Sequence, residues 1–269
     1  MLERITHDNQ VVTYQSPLLR SAGAVHAFTT RLGGVSKGSY ASLNLGPLRK
    51  GEGDPNMHVA ENYRRLRKAL HIERRMRLEA RQVHGSNVHL DNDDRVPVPD
   101  QAPQADALIT RDPRKIIVIR TADCVPILIT TPDASLVAGI HAGWRGFVAE
   151  PQGIIRACVT RFLEQTDTSA SSLLAAIGPC ISLLHFEVGT EVAEAFKAHG
   201  YDRFISTDHG PKPHIDLPAA AHATLLDAGL QPDHIDTTDR CTFEHETEFF
   251  SYRRDRGLNG QMASVIGCA

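Results

Sequence analysis

Between residues 105 and 142 the chain carries four short apolar runs, ADALIT, KIIVIR, VPILIT and LVAGIHA, separated by the polar stretches RDPR, TADC and TPDAS. Runs this short and rich in Ile and Val, bounded by Pro, Asp and Ser, predict β-strands, and four in succession predict one core sheet. Elsewhere the period changes. Val59, Tyr63, Leu66 and Leu70 recur at helical spacing behind Asp54-Pro55, which predicts an amphipathic helix to about His71 with Asp54 as its N-cap. Further helices are expected from about Pro151 to Leu163, from Gly189 to Ala198, and from Asp216 as N-cap to a Gly229 C-cap. The segment LEARQVHGSNVHL (78–90) alternates around Gly85-Ser86-Asn87 and reads as a hairpin with His84 at the turn's edge. FFSYRR and MASVIG read as a closing hairpin, LLAAIGPCI as a further buried strand, and the acidic, Pro-rich 91–104 as a loop. Residues 25–45 put an apolar segment before an ordered Gly- and Ser-rich loop. Consecutive strands with helices inserted among them favour an α+β fold over a strictly alternating parallel sheet.

Composition narrows the class. Of 269 residues, 41% are hydrophobic and 23% charged, ample apolar material for a large core. Lys and Arg number 29 against 32 Asp and Glu, a formal net of -3 that lacks the basic footprint of a nucleic-acid binder. The N-terminus, MLERITHDNQ, mixes charge with polarity, and no apolar run reaches the roughly 18 residues of a membrane span. A cytoplasmic protein is expected, with neither nucleic acid nor membrane as partner. Five widely spaced cysteines, an odd number, fit free thiols in a reducing compartment. The 14 histidines are the unusual count, because imidazole both ligates metals and carries protons near neutral pH.

Register singles out two residues. VPILIT and LVAGIHA are joined through Thr131-Pro132-Asp133-Ala134-Ser135, a turn sequence with Pro second and Asp third, so an antiparallel hairpin is expected. With the turn centred between Pro132 and Asp133, Cys124 lies opposite His141. Directly paired residues share a face with Cβ atoms about 4.5 to 5.5 Å apart, close enough for thiol and imidazole to share one metal ion or one proton. A three-residue loop would shift the register by one and weaken the pairing. Both residues leave the sheet at the same end, into turns containing Thr121-Ala122-Asp123 and Ala142-Gly143-Trp144-Arg145-Gly146. A single cysteine is usually a small packed hydrophobe; this pair, with His84 at a third turn, points to a site.

The blocks RQVHGSNV (81–88), ADALIT (105–110), TADCVPI (121–127), GIHAGWRG (139–146), IGPCI (177–181), FEVG (186–189) and FFSYRRDRG (249–257) together resemble the YfiH family. The resemblance runs in family order from TTRLGGVS (29–36) and SLNLG (42–46) to the C-terminus. Members have been called polyphenol oxidases or laccase domain proteins, purine nucleoside phosphorylases and peptidoglycan editing factors. The resemblance implies a single domain over residues 1–269, with mixed, largely antiparallel β-sheets packed between helices. It also implies a zinc ion (Zn2+) held by His84, Cys124 and His141 in a pocket for purine nucleosides. The chain departs from the family at Phe186, where tyrosine is usual, and at Gln261, where arginine is usual; both departures read as peripheral.

Two imidazoles and one thiolate supply three tetrahedral ligands and leave a fourth position for water or substrate, the pattern of a catalytic zinc. Zinc lowers the pKa of bound water from 15.7 toward about 7, which suits adenosine deamination, while phosphorolysis needs phosphate as a second substrate. His84, Cys124 and His141 are therefore candidate catalytic residues as well as metal ligands. Asp123 is the candidate for proton transfer or for orienting a ligand histidine. Arg31 in the Gly-rich loop and Arg253 in SYRR are candidate phosphate-binding cations, and Asn44 in SLNLG a partner for ribose or base. Trp144 stacks on a base or plugs the core, and Cys180 and Cys241 read as buried thiols. Three alternatives stay open. His, His and Cys also form blue-copper centres, which would make Cu2+ the metal and phenol oxidation the activity, although no methionine sits in a ligand-like block. Cys124 with His141 as base would make a metal-free thiol hydrolase. The same pocket would also serve amide hydrolysis on a peptidoglycan precursor.

Overall fold

The computed structural model describes residues 1–46, 53–92 and 101–269. The chain begins with β1 (Glu3–Thr6), β2 (Val12–Gln15), α1 (Pro17–Ser21), β3 (Val25–Thr29) and α2 (Asn56–Ala69). Six strands follow: β4 (Met76–Glu79), β5 (Val88–Asp91), β6 (Ala107–Thr110), β7 (Lys115–Thr121), β8 (Val125–Thr130) and β9 (Val137–Ala142). The second half holds α3 (Trp144–Phe147), α4 (Ile154–Leu163), β10 (Leu174–Ile177), α5 (Thr190–Ala198), β11 (Ile205–Ser206) and β12 (His214–Ile215). It closes with α6 (Leu217–Asp227), β13 (Ile235–Asp236) and β14 (Met262–Gly267).

Two six-stranded mixed sheets lie face to face, ordered β1-β2-β3-β14-β7-β4 and β13-β10-β8-β9-β6-β5. The pairs β4–β7, β5–β6 and β10–β13 are parallel. Between the sheets, Phe28, Ile117, Ile119 and Ile266 of the first meet Leu108, Leu128, Val137 and Ala176 of the second. Helices α4, α5 and α6 cover the outer face of the second sheet with Cys158, Phe162, Phe196 and Leu225. Helix α2 covers the outer face of the first, setting Tyr63 and Leu66 against Ile116, Val118 and Val265. The architecture is the expected α+β single domain of mixed sheets packed between helices. One charge pair is buried within it: Lys115 Nζ lies 2.8 and 3.0 Å from the Asp91 carboxylate, which also accepts from the Thr110 hydroxyl at 2.7 Å.

Both faces of β7 and β8 are covered, so their sequences read as continuous apolar runs that give no hint of which sheet they join. The expectation of one core sheet is corrected accordingly, because β6, β8 and β9 share the second sheet while β7 lies in the first. Residues 78–90 are not a hairpin either. Strand β4 pairs with β7 and β5 with β6, so the His84 turn is a crossover from one sheet to the other. The FFSYRR segment forms turns, and β14 pairs instead with β3 and β7. In both cases the true partner is remote in sequence and local turn chemistry cannot reveal it.

Helices α4, α5 and α6 and strand β10 lie where periodicity puts them. Asp216 Oδ1 accepts from Ala219 N at 3.0 Å as the N-cap of α6, and Gly229 takes a φ of 100° beyond its end. Asp54, by contrast, does not cap α2, whose N-cap residue is Pro55. Its carboxylate accepts from Ser36 and Asn44 and lies against His58. Of the loop expected over 91–104, residues 93–100 lie outside the described residues.

The β8–β9 hairpin forms, but two residues out of the expected register: Pro126, not Cys124, stands opposite His141. The turn starts as predicted, with Ala134 N donating to Thr131 O at 3.0 Å. Ala134 then adopts a φ of 51°, and Ser135 lengthens the loop before Thr131 N closes on Leu136 O. Asp133 Oδ1 holds this extension by accepting from the Ser135 N and Oγ. A one-residue slip would have turned the side chains to opposite faces. The two-residue shift leaves Cys124, just before β8, and His141 with the parity of Leu128 and Val137, which face the first sheet.

Candidate metal centre

Three segments meet at strand ends of both sheets. The β4–β5 crossover contributes His84, the loop before β8 contributes Cys124, and the end of β9 contributes His141. One ligand atom from each lies within 4.8 Å of the others, a span that a single ion with bonds of about 2.0 to 2.3 Å closes by a small contraction. The two imidazoles meet edge to face with centroids 4.7 Å apart. His141 is buried, Cys124 half-buried and His84 exposed, so the cluster is closed behind and open in front.

Asp106, fully buried just ahead of β6, organises the cluster. Its Oδ1 accepts from His141 Nδ1 at 2.8 Å and from His84 N at 2.9 Å. Its Oδ2 accepts from Gly85 N at 2.8 Å and Val83 N at 3.2 Å. The 83–85 turn thus wraps around one carboxylate, and His84 does so with a φ of 61°, a left-handed conformation that few non-glycine residues adopt. With Nδ1 engaged, His141 has Nε2 left for the cluster. Gly143 supplies the space: a Cβ there would lie 2.9 Å from His84 Cδ2 and 3.1 Å from Cys124 Sγ.

Electrostatics favour a cation. Burial acts against the Cys124 thiolate, yet the facing His141 and His84 bring the thiol down to about 6. Burial likewise acts against charge on His141, yet the Cys124 sulfur and the Asp106 carboxylate raise it to about 9. Asp106 is held below the usual carboxylate range: burial opposes this, but the bonds from His141 and from the backbone of Gly85 and His84 prevail. A thiolate flanked by two imidazoles is a soft donor set suited to a divalent transition ion. In front of it opens a cavity of about 850 Å3, walled by Trp144, Ile181, Phe186, Val188 and Tyr252 together with several arginines. Its size is that of a small-molecule site.

The family described as multi-copper polyphenol oxidoreductase laccase matches residues 25–269, a span that includes all three cluster residues. The chain belongs to this family. A purine nucleoside phosphorylase of Bacteroides thetaiotaomicron is 37% identical to it over 97% of each chain. Adenosine deaminase RL5, from an unknown prokaryotic organism, is 35% identical over 89% of this chain and 92% of its own. The solved structure of the Bacillus licheniformis hypothetical protein YfiH matches with a TM-score of 0.85 and 28% identity, covering 96% of both chains. The resemblance to the YfiH family read from the sequence agrees with these matches.

The other residues expected at the site of this laccase-like chain divide between its wall and its frame. Asp123 borders the cavity but bonds to neither histidine. Its Oδ1 accepts from Thr242 Oγ1 at 2.6 Å, and its Oδ2 from Arg253 N at 2.7 Å and Ser251 Oγ at 3.0 Å. Burial raises its pKa against those donors. Asp123 therefore ties the C-terminal loop to the cluster, which corrects the expectation that it orients a ligand histidine. Asp106 does that, and the ADALIT block offered one signal for it, a carboxylate heading an otherwise apolar strand. Arg31 and Asn44 do not line the cavity, a second correction. Arg31 donates to the carbonyls of Ala41 and Glu246, at 2.6 and 3.1 Å, and stacks over Phe250. Asn44 is buried, bonded to Asp54 and to the backbone N–H of Gly46 and Gln261. Both brace loops.

Arg253 does line the cavity, with Nη1 on Glu187 O at 2.6 Å and its guanidinium 5.1 Å over the Phe186 ring. Phe186 and Gln261 lie on the same wall, so the two departures that read as peripheral are part of the cavity. Trp144 is half-buried on that wall, with the Arg145 guanidinium 4.3 Å over its ring. Cys180 is a buried thiol whose pKa burial pushes well up. Arg120, Gln82 and Glu191 also line the cavity; they come from separate segments and carry no local sequence signal. Among the described residues no helix is long and apolar enough to cross a membrane.

Proposed function

We propose that this chain is a zinc-dependent purine nucleoside enzyme of the cytoplasm, which cleaves purine nucleosides by phosphorolysis and deaminates adenosine. One observation carries the reading: a cluster of two imidazoles and one thiolate, open on one side, opens into a cavity whose wall combines aromatic faces with arginines. The relatives named purine nucleoside phosphorylase and adenosine deaminase, matched over nearly their whole length, support it. Zinc is favoured over copper because no methionine among the described residues lines the cavity, and Met262 Sδ accepts from Phe250 N. An axial thioether of the blue-copper kind is therefore missing.

When bound, zinc supplies Lewis acidity at the open side of the cluster. The chain's own residues do the remaining work. Asp106 fixes the His141 ring and the His84 turn before substrate arrives, so the centre is preorganised. Phe186, Trp144 and Tyr252 offer ring faces to a flat purine. Arg253, braced by Glu187 O, and Arg81 and Arg145, which make no ion pair among the described residues, offer charge to phosphate. In phosphorolysis a phosphate oxygen bonds to the sugar C1′ while the bond from C1′ to the purine nitrogen breaks, and the base leaves with that electron pair. In deamination water replaces the amino group, which leaves as ammonia.

Zinc-loaded protein incubated with adenosine or inosine is expected to release free base and ribose 1-phosphate only when phosphate is present, and to form inosine from adenosine without it. Failure to turn over any purine nucleoside would overturn the proposal. The family description favours a second reading, copper-dependent phenol oxidation. Copper-loaded protein consuming oxygen with phenols, with no nucleoside turnover by the zinc form, would install it instead. Full activity after metal removal, lost on alkylating Cys124, would instead indicate the thiol hydrolase.

A further inference from the structure

A second group of potential ligands shares no residue with the first. His185, Cys241 and Glu244 each offer an atom within 4.8 Å of the others. We propose that they form a second site for a divalent ion of the zinc class, distinct from the His84, Cys124 and His141 centre.

The donors are arranged on preformed backbone. The backbone of Cys241 runs parallel to that of Cys180 as an isolated β-bridge, both thiols being free, and Thr242 N donates to Cys180 O at 3.0 Å. His245 N closes a turn on Cys241 O at 3.0 Å, which brings Glu244, three residues on, back beside the thiol. On the opposing strand of chain, His185 ends a short 3-10 turn whose N–H bonds to Ser182 O at 3.1 Å. The imidazole is held flat against the Phe243 ring, with centroids 4.4 Å apart and planes 18° from parallel. Ser182 N donates to Cys241 Sγ at 3.3 Å, which fixes the position of the sulfur.

The remaining donor capacity is unclaimed. Among the described residues neither ring nitrogen of His185 nor the carboxylate of Glu244 has a hydrogen-bond or ion-pair partner, whereas the neighbouring His245 engages Cys241 O and Arg240. A half-buried imidazole and a buried thiol that converge with an exposed carboxylate make a three-ligand set with an outer vertex for water. Sulfur in the set selects a borderline or soft ion over magnesium or calcium.

Position gives the site a consequence. Phe186, next to His185, lines the substrate cavity, and the Thr242 hydroxyl next to Cys241 donates to Asp123 beside the catalytic cysteine. An ion here would clasp the 182–186 and 241–245 segments behind the cavity wall.

The test uses the full-length chain without a histidine tag, stripped of metal and titrated with Zn2+ against a chromogenic chelator. Two equivalents per chain are expected, one for each cluster, falling to one in His185→Ala, in Glu244→Ala and in Cys124→Ser. Glu244 is exposed, so its replacement leaves the core untouched even if a variant at Cys241 fails to fold. In Co2+-loaded Cys124→Ser, a thiolate-to-cobalt charge-transfer band must remain, since Cys241 is then the sulfur ligand, and adding His185→Ala must abolish it. Saturation of the wild type at one equivalent that Cys124→Ser removes, two equivalents retained in His185→Ala, or no such band in Cys124→Ser would each overturn the second site. None of these outcomes touches the nucleoside reading.

Discussion

Asp106→Asn tests how the candidate metal centre is built. The carboxylate takes two N–H donors on each oxygen, His141 and His84 on Oδ1, Gly85 and Val83 on Oδ2, and is fully buried. Asparagine keeps the shape but only one acceptor oxygen, so whichever way the amide turns, its NH2 faces two donors. A hydrogen bond to a charged group contributes about 1.5 to 3 kcal/mol and an unsatisfied buried donor costs about 1 to 3 kcal/mol, so after relaxation a loss of about 3 to 5 kcal/mol is expected. If the NH2 faces His141, the ring must accept at Nδ1 and carry its hydrogen on Nε2, which removes the ligand lone pair from the cluster. Zinc affinity should then fall about 10- to 100-fold. The assays are urea unfolding of metal-free protein and chelator competition for zinc. The sign of the pH effect follows from the depressed pKa of Asp106. Its contribution is complete above the ordinary aspartate range and is lost as pH falls through the lower folded value, so wild type and variant should converge in stability below about pH 4. Asp123→Asn is the control: it should lower stability yet leave zinc affinity within about threefold, because Asp123 bonds to Thr242, Ser251 and Arg253 and to neither histidine. Equal affinity losses in the two variants, or an unchanged unfolding midpoint in Asp106→Asn, would refute the reasoning.

Gly143 has an ordinary φ of -77°, so Gly143→Ala should leave the urea midpoint near wild type while weakening zinc binding at least about tenfold through crowding of His84 and Cys124; unchanged zinc binding would show that the cluster has room to spare. In metal-free protein, Cys124 should alkylate with a pH midpoint of about 6, reactive above it as thiolate and protected below, while Cys158, pushed by burial to about 12, stays inert. Mass spectrometry of each peptide checks this, and a Cys124 midpoint at the ordinary thiol value would count against the thiolate–imidazolium pair. Lys115→Met leaves the buried Asp91 carboxylate without its ion-pair partner and should cost about 3 to 5 kcal/mol, most of it recovered when Asp91→Leu is added. A loss under about 1 kcal/mol in the single variant, read from urea midpoints, would show that the pair is not desolvated.

Much of this protein could be read from residue order alone, because helical period, N-caps and turn residues act over a few positions. That range covers α4, α5 and α6, the β8–β9 hairpin, and the motif blocks holding His84, Cys124 and His141. Side-chain parity even kept Cys124 and His141 on a common face although Ala134 and Ser135 moved their register by two residues. The assignment of β7 to one sheet and β8 to the other was not legible, since strands buried on both faces show the same unbroken apolar run wherever they lie. Nor was the role of Asp106, whose meaning comes from a crossover turn and a strand end that packing brings around it. Local sequence therefore singled out His84, Cys124 and His141 and the face that Cys124 and His141 share. Only the tertiary structure decided which carboxylate holds them, which arginines reach the cavity and which sheet each strand joins, because those relations depend on burial and long-range pairing that no short window contains.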